Sequence, residues 1–396
     1  TLVFDTIAFD PYSLGSRAAG FDFDAEGLNR LVARNIETLK GFAIAWTRAA
    51  PDDPDAQESL ANVLESAGKI GGAAPSALNS IRAARQADAN TSTDDGAGFF
   101  RKVRLANTNV RLLLKLSRFS EARILADSAV SWKAPSALDD SLVRNTDGLL
   151  SGLLALTGKA RRVIALEQKY AADYPVRLSS GETLKLPGDL GAEVLRLSTY
   201  SAFGSPRDSI VALDARIREN LESLVPSSKL AEFRVAVLQR PLSLSLDVIG
   251  TKSLASLGPS DDPFISAVRA VDAGNRRLAR KLADSLAVFR AVNAPGEVTM
   301  DVVLQEAWLR AAIGDSSIAT RSLDRALRGL SRAPTNLLEG AELSTALVRA
   351  MLMRSDLAAA TGDDVTHKKW SAAVRELWTN ADPHVRARAQ NIARSK

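Results

Sequence analysis

The chain has 396 residues, with 51 Lys and Arg against 46 Asp and Glu, so its formal net charge at pH 7 is only +5. It contains no cysteine and two histidines, which excludes structural disulfides, thiolate metal sites, cysteine nucleophiles and clusters of three histidines. Hydrophobic residues make up 46% of the sequence but aromatic residues only 5%, which predicts a core of Ala, Leu and Val and leaves little material for enzyme chemistry.

The chain begins with an apolar stretch over residues 1–9, which Pro11 and Gly15 bring to an end. We predict an extended N-terminal arm over residues 1–20. Because the first residue is Thr1 rather than Met, we expect a processed or excised fragment. No apolar run reaches the roughly 18 residues that a membrane-spanning helix needs, so we predict no such segment in this sequence. The absence of cysteine fits both the cytoplasm and an exported mature protein.

From residue 24 onwards, apolar residues recur at three- and four-residue steps, which is the period of amphipathic helices. The sequence predicts helices over residues 24–50, 55–67, 76–88, 98–116, 120–131, 138–156, 160–172, 191–203, 207–224, 228–238, 263–273, 276–292, 299–313, 317–330, 340–360, 365–378 and 383–393. The best candidate for β structure is the segment 176–186, which we predict to be a small hairpin or a loop.

One short break recurs between paired helices, in which a small residue is followed by a charged or polar residue and a new helix. It occurs at Ser117, Gly158, Gly204, Gly274, Gly314 and Gly362, and these positions lie 41, 46, 70, 40 and 48 residues apart. Each unit is therefore a helix hairpin, and a hairpin with one apolar face has to stack on its neighbours to bury that face.

The recurring breaks predict an all-α fold. We expect a right-handed α-solenoid of six to eight stacked helix hairpins over residues 21–396, with residues 383–396 as a basic capping helix. The interval 204–274 holds either a degenerate repeat or an inserted element.

Two segments resemble tetratricopeptide repeats. Trp46-Thr-Arg-Ala-Ala-Pro51-Asp-Asp-Pro-Asp-Ala56 resembles the end of one repeat and the start of the next, and Ala312-Ile-Gly-Asp-Ser-Ser-Ile-Ala319 resembles the turn within a repeat. The region from Gln305-Glu-Ala-Trp308 to Trp370-Ser-Ala-Ala-Val-Arg-Glu-Leu-Trp378 is also similar to repeats that follow bacterial serine/threonine kinase domains. This resemblance implies a bacterial, tetratricopeptide-like module for protein recognition; the kinase motifs themselves are not in the sequence.

Motifs that resemble catalytic or ligand-binding patterns have simpler interpretations. The segment 152–160 approaches a phosphate loop, but it has one intervening residue too many and Ala160 where Ser or Thr would contact magnesium, so we interpret it as a helix end. Adjacent aspartates recur at residues 52–53, 94–95, 139–140, 261–262 and 363–364. Each pair lies at or just before the start of a predicted helix, where a carboxylate caps free backbone N–H groups, so we predict helix caps.

The strongest candidate site is a basic stripe on the predicted helix 98–116. The segment 101–118 contains six cations and no acid, and its polar residues recur at helical spacing on one face. The candidate partner-binding residues are Arg101, Arg104, Asn107, Thr108, Arg111 and Lys115, with Arg144 as a further polar addition. Such a stripe could clamp an acidic peptide or a carboxylate terminus. The alternative is a face that pairs with acids of neighbouring helices. Nucleic-acid binding is disfavoured because only one such stripe occurs.

The predicted function is a non-catalytic protein–protein interaction or scaffold module that binds a peptide or partner protein in the groove of the solenoid. The sequence gives no indication of enzyme activity, cofactor or metal. One alternative is the sensing or regulatory region of a larger bacterial serine/threonine kinase or signalling protein. Another is a structural subunit of a larger assembly, joined through the N-terminal arm.

Overall fold

A computed structural model describes residues 25–71, 96–135, 140–178, 181–258, 262–293, 299–328, 330 and 335–391. Within these ranges it contains 18 α-helices and one two-stranded sheet, which confirms the all-α class. The helices are α1 Ala25–Ala49, α2 Pro54–Gly71, α3 Gly96–Lys115, α4 Phe119–Ala129, α5 Asp140–Leu156, α6 Ala160–Glu167, α7 Gly188–Phe203, α8 Arg207–Leu224, α9 Ser227–Leu244, α10 Leu246–Ile249, α11 Lys252–Ala255, α12 Pro263–Asp272, α13 Arg276–Asn293, α14 Met300–Ala312, α15 Ser316–Arg328, α16 Gly340–Ala360, α17 Asp364–Leu377 and α18 Pro383–Asn391. The predicted arm (residues 1–20) and the predicted helix over residues 76–88 lie outside the described residues.

All six predicted breaks adopt the same hydrogen-bonded turn. The five glycines have φ between +62° and +90°, and Ser117, with φ of +58°, is the one described non-glycine residue at positive φ. At every break, the N–H of the break residue bonds to the carbonyl three residues earlier, and the next N–H bonds to the carbonyl five residues earlier. At Gly158, for example, these two N···O distances are 3.1 and 2.9 Å. This is the Schellman motif, which satisfies the last carbonyls of a helix.

Helix α16 lies at the centre of the molecule. It packs against α5, α7, α14, α15 and α17, and its buried residues are distributed around the whole helix. A helix that is buried around most of its circumference is enclosed by other helices. In a linear stack each hairpin contacts only its sequence neighbours, whereas here the last hairpin also packs on helices of the first half.

The last hairpin meets the first half of the chain through polar contacts as well. Arg123 of α4 donates to Glu376 of α17 at 3.0 Å, and Asn380 donates to Asp127 at 3.1 Å. Both pairs are separated by 253 residues, so α4 and α17 run in the same direction.

Two glycines of the phosphate-loop-like segment serve helix packing. A Cβ atom at Gly152 would lie 2.0 Å from the carbonyl oxygen of Leu338, so only glycine lets α5 approach the start of α16 this closely. Gly158 forms the turn after α5, and a Cβ there would lie 2.4 Å from the Cβ of Ala381. The interpretation of this segment as a helix end is confirmed.

The interval 204–274 corrects one predicted boundary. The helix expected to end at residue 238 continues through Pro241 to Leu244. Although Pro241 lacks a backbone N–H, it is buried with Leu242 and Leu244, and the Ser243 hydroxyl donates to the carbonyl of Gln239 at 2.7 Å. Apolar packing therefore outweighs the break in the helical hydrogen-bond ladder. The short helices α10 and α11, which the periodicity did not predict, complete the interval.

Two smaller features complete the description. The segment predicted as a hairpin or a loop is an antiparallel hairpin of β1 Pro175–Arg177 and β2 Thr183–Lys185. Of the predicted caps, Asp262 accepts from the N–H of Phe264 at 2.8 Å and Asp363 from that of Thr366 at 3.1 Å. Among the described helices, none has an apolar stretch long enough to cross a membrane.

Candidate functional site

The predicted basic stripe on α3 faces the acidic side of α2. Arg101 pairs with Asp55 at 2.9 Å and Arg104 with Glu58 at 2.6 Å. Further along the helix, Arg111 and Lys115 both pair with one carboxylate, that of Glu65, at 2.7 and 2.6 Å. We call this set of four cations and three carboxylates the α2–α3 ladder. Three of its pairs are separated by 46 residues, so the two helices run in the same direction, as equivalent helices of successive repeats do.

The Glu65 end of the ladder is enclosed. The Glu65 carboxylate accepts two parallel hydrogen bonds from Arg111, at 2.8 and 2.7 Å, and the side chains of Glu65 and Lys115 are each 1% exposed. Burial acts to raise the pKa of Glu65, but the charges and hydrogen bonds of Arg111 and Lys115 outweigh it and lower the pKa to about 2. Glu65 in turn raises the pKa of Arg111 against the effect of burial. Glu65 and Arg111 are therefore both charged at neutral pH.

The other predicted site residues also make contacts with side chains of the same chain. Asn107 and Thr108 are buried beside Arg111 and accept hydrogen bonds from its guanidinium. Arg144 lies apart from them on α5, with its guanidinium 5.0 Å from the centre of the Tyr170 ring. The four cations of the stripe pair with acids of the neighbouring helix α2. This is the alternative interpretation considered for the stripe. Partner binding by the stripe stays a prediction, and it would require a partner to displace these ion pairs.

A second region contains an open pocket of about 190 Å³. Its walls come from the end of α9, from α10, from one side of α14 and from the facing side of α16, and α18 reaches it through Arg388. Arg349, Leu352, Met353 and Asp356 line it at helical spacing along α16. Leu304, Gln305 and Trp308 of α14 form the opposite wall. We call it the α14–α16 pocket.

One end of the pocket is held by two arginines that share the carboxylate of Asp247. One oxygen of Asp247 accepts from Arg349 and the other from Arg388. Burial acts to raise the pKa of Asp247, but the two guanidinium groups outweigh it and lower the pKa. Burial lowers the pKa of Arg349 to about 10, so this arginine stays protonated at neutral pH. We call these three residues the Arg–Asp–Arg clasp.

The clasp also binds the C-terminal end of α7. Arg349 donates to the carbonyls of Ser201 and Ala202, both at 2.8 Å, and Arg388 donates to the carbonyl of Gly204 at 2.7 Å. The last carbonyls of a helix lack partners within the helix and carry partial negative charge, so they favour cations there. The clasp therefore joins α7, α10, α16 and α18. The Nε atom of Arg349 is buried without a hydrogen-bond partner in the described structure.

The rim of the pocket carries a carboxylate with a different environment. Asp356 is exposed, and among the described residues no hydrogen bond or ion pair reaches its side chain. The surrounding protein removes enough water to raise the pKa of this carboxyl, although Arg388 and His367 partly oppose the shift. Trp308 of the opposite wall is half-buried and Met353 is half-buried beside Leu352. The pocket thus combines an apolar middle with a cationic end, whose guanidinium groups are hydrogen-bonded within the chain, and a carboxylate outside any ion pair of the described structure.

A serine and a histidine meet close to the pocket without forming a usable nucleophile. The Ser355 hydroxyl lies 3.0 Å from Nδ1 of His367, the arrangement that activates serine in hydrolases. However, Ser355 is 0% exposed, so no substrate carbonyl can reach its oxygen in this conformation. The contact joins α16 to α17 and places His367 between the two helices of this hairpin.

Comparison with known proteins gives no further assignment. No family profile matches the sequence, and no similar protein was found among curated proteins or solved structures. The residues of the α14–α16 pocket were not among the predicted site residues. They come from four separate parts of the chain, and the only local signal is the helical spacing from Arg349 to Asp356.

Proposed function

We propose that this chain is a protein-binding helical module and that a partner protein docks at the α14–α16 pocket. The observation that carries this proposal is the size of the pocket. At about 190 Å³ it is smaller than typical small-molecule sites, which occupy about 300 to 1,000 Å³. It is suited to a single side chain, and side chains that fill such pockets provide much of the binding energy of protein interfaces.

The arrangement of polar groups supports the same proposal. Most cations of the α2–α3 ladder are already paired with acids of the same chain, so little positive charge remains there for a partner. The pocket is open to solvent and carries one carboxylate, that of Asp356, outside any ion pair of the described structure. The proposal therefore places the partner at the pocket rather than on the predicted stripe.

We also infer that the hairpins form a right-handed, tetratricopeptide-like repeat. Six identical Schellman turns and the parallel course of α2 and α3 support this inference. The packing of the last hairpin on α4, α5 and α7 then bends the stack back on itself. The pocket itself lies between α9, α10, α14, α16 and α18.

The proposal is tested by capture of partners from the source cell with matched variants. Met353→Trp fills the pocket, and Val211→Trp adds the same bulk at an exposed position of α8. The expected result is one protein that the wild type and Val211→Trp retain, that Met353→Trp loses, and that forms a stable complex with the purified chain in light scattering. An identical set of captured proteins for all three baits would contradict docking at the pocket.

A variant of the exposed part of the ladder separates the two candidate surfaces. Arg101→Glu with Arg104→Glu changes the accessible end of the stripe and leaves the Glu65 end intact. Loss of the partner from this variant alone would move the interface to the α2–α3 ladder. Circular dichroism of every bait checks that the helical content is unchanged.

A further inference from the structure

We propose that the α14–α16 pocket receives a lysine or arginine side chain of the partner protein, with its cationic group at Asp356 and its aliphatic stem along Trp308 and Met353. This inference rests on the proposed function and names the chemistry that the pocket recognises. It follows from the order of charged and apolar groups along α16.

The geometry of α16 separates the two charged ends of the pocket. Arg349 and Asp356 are seven residues apart, which corresponds to about 10 Å along the axis of an α-helix. Leu352 and Met353 lie between them on the same face. An extended lysine or arginine side chain, with an apolar stem and a charged tip, matches an apolar wall that ends in a carboxylate.

The hydrogen-bonding groups that remain accessible favour a cation over an anion. At the Arg349 end, the Nη atoms of the clasp already bind Asp247 and the carbonyls that end α7, and Nε of Arg349 is buried, so an incoming anion would compete with groups that are in place. At the other end, Asp356 is exposed and offers both oxygens. A charge-assisted hydrogen bond from an ammonium or guanidinium group to this carboxylate therefore replaces only water.

Trp308 adds a second reason for a cation. The indole ring is half-buried and lines the pocket opposite Met353. The face of a tryptophan ring attracts cations and also covers the methylene groups of a long side chain. A neutral side chain of the same length would gain only the apolar contact.

The experiment uses three capped amino acids as probes of the full chain in saturation-transfer NMR. Nα-acetyl-lysine methylamide carries the cation, the norleucine analogue has a neutral chain of similar length, and the glutamate analogue carries an anion. We expect the lysine probe to bind most tightly. We also expect Asp356→Asn to weaken it about tenfold, the change that follows from the loss of one charge-assisted hydrogen bond. Asp189→Asn, an exposed carboxylate at the far end of α7, is the matched control and is expected to leave binding unchanged.

The outcomes separate this inference from the proposed function. Equal binding of the lysine and norleucine probes, preference for the glutamate probe, or no effect of Asp356→Asn would each overturn the inference. If the captured partner is lost from Met353→Trp but retained by Asp356→Asn, the partner uses the pocket without a basic side chain, and the proposed function stands alone. Loss from both variants, with retention by Asp189→Asn, supports both.

Discussion

Two regions of this molecule contain the same arrangement of charged groups, in which two cations share one carboxylate. In the α2–α3 ladder, Arg111 and Lys115 share Glu65; in the clasp, Arg349 and Arg388 share Asp247. The surroundings differ. Glu65 and its partners are enclosed by helices, whereas the clasp borders an open pocket whose rim carries a further carboxylate.

The comparison shows that charge composition does not distinguish a structural group from a binding group. A buried set of ions that satisfies all its members holds helices together and has nothing left for a ligand. The clasp holds four helices together in the same way, but the carboxylate at Asp356 lies beyond it and remains available. Accessibility and the unpaired group, rather than the density of arginines, are the grounds on which the binding region is proposed.

The largest expected effect is the loss of stability on removal of the enclosed carboxylate of Glu65. Glu65→Ala leaves Arg111 and Lys115 buried without a counter-ion, so the free energy of unfolding should fall by about 3 to 5 kcal/mol. Urea unfolding followed by circular dichroism measures it. The control, Glu37→Ala, removes an exposed carboxylate 3.4 Å from Lys40 and should cost less than about 0.5 kcal/mol. Similar losses for both variants would show that the ladder is not structural.

The pH dependence of stability reports the same carboxylate. The pKa of Glu65 is about 2 in the folded protein against an ordinary value of 4.5, so the unfolded chain binds this proton more readily. Its stabilisation is fully present above about pH 5 and is lost as the pH falls towards 2, by about 3 kcal/mol in total. Unfolding free energies at pH 5.5 and pH 3 should therefore fall more steeply for the wild type than for Glu65→Ala. Parallel profiles would contradict the assignment.

Substitutions at two glycines test how much the clasp contributes to stability. The two glycines lie in separate turns of the same type. In Gly204→Ala, the new Cβ would lie 1.8 Å from Nη1 of Arg388, while in Gly274→Ala it meets no atom within 4 Å. Both substitutions place alanine at positive φ, which costs about 1 kcal/mol, and Gly204→Ala should cost about 2 to 3 kcal/mol because it also displaces Arg388. Urea unfolding measures both. Equal losses would show that the clasp contributes no stability.

The smallest expected effect is a gain in stability from a substitution in the turn that follows α3. Ser117 occupies the left-handed position that glycine fills at the other five turns, and its side chain is exposed. Ser117→Gly should raise the free energy of unfolding by about 0.5 kcal/mol, since relief of backbone strain exceeds the added entropy of the unfolded chain. Ser285→Gly, inside α13, should lower it by a similar amount. A loss of stability for Ser117→Gly would contradict this account of the turn.

The sequence predicted the features that depend on neighbouring residues. The helices and the six turns could be located because each turn needs a residue that tolerates positive φ, and only a few residues on either side decide the outcome. The phosphate-loop-like segment was interpreted correctly for the same local reason. Pro241 shows the limit, since its effect on α9 depends on apolar contacts from other helices.

The features that the sequence did not reveal depend on distant residues. The cations of α3 were recognised in the sequence as a stripe. Their acidic partners lie on α2, 46 residues earlier, and the sequence did not show which face of α2 would meet α3. Both Trp46 and Trp378 lie in helical segments of the sequence, but Trp46 is 39% exposed whereas Trp378 is buried. The pocket joins residues from Ser243 to Arg388, so it exists only once α9, α10, α14, α16 and α18 have packed together.

The central position of α16 also has a consequence for how the chain is made. Synthesis proceeds from the N-terminus, so the apolar faces of α5, α7 and α14 emerge before the helix that covers them all. The contacts of α16 with α5 span nearly 200 residues, and such distant pairings form slowly. Nascent chains would therefore expose this surface until residues 340–360 have been synthesised and can pack on it.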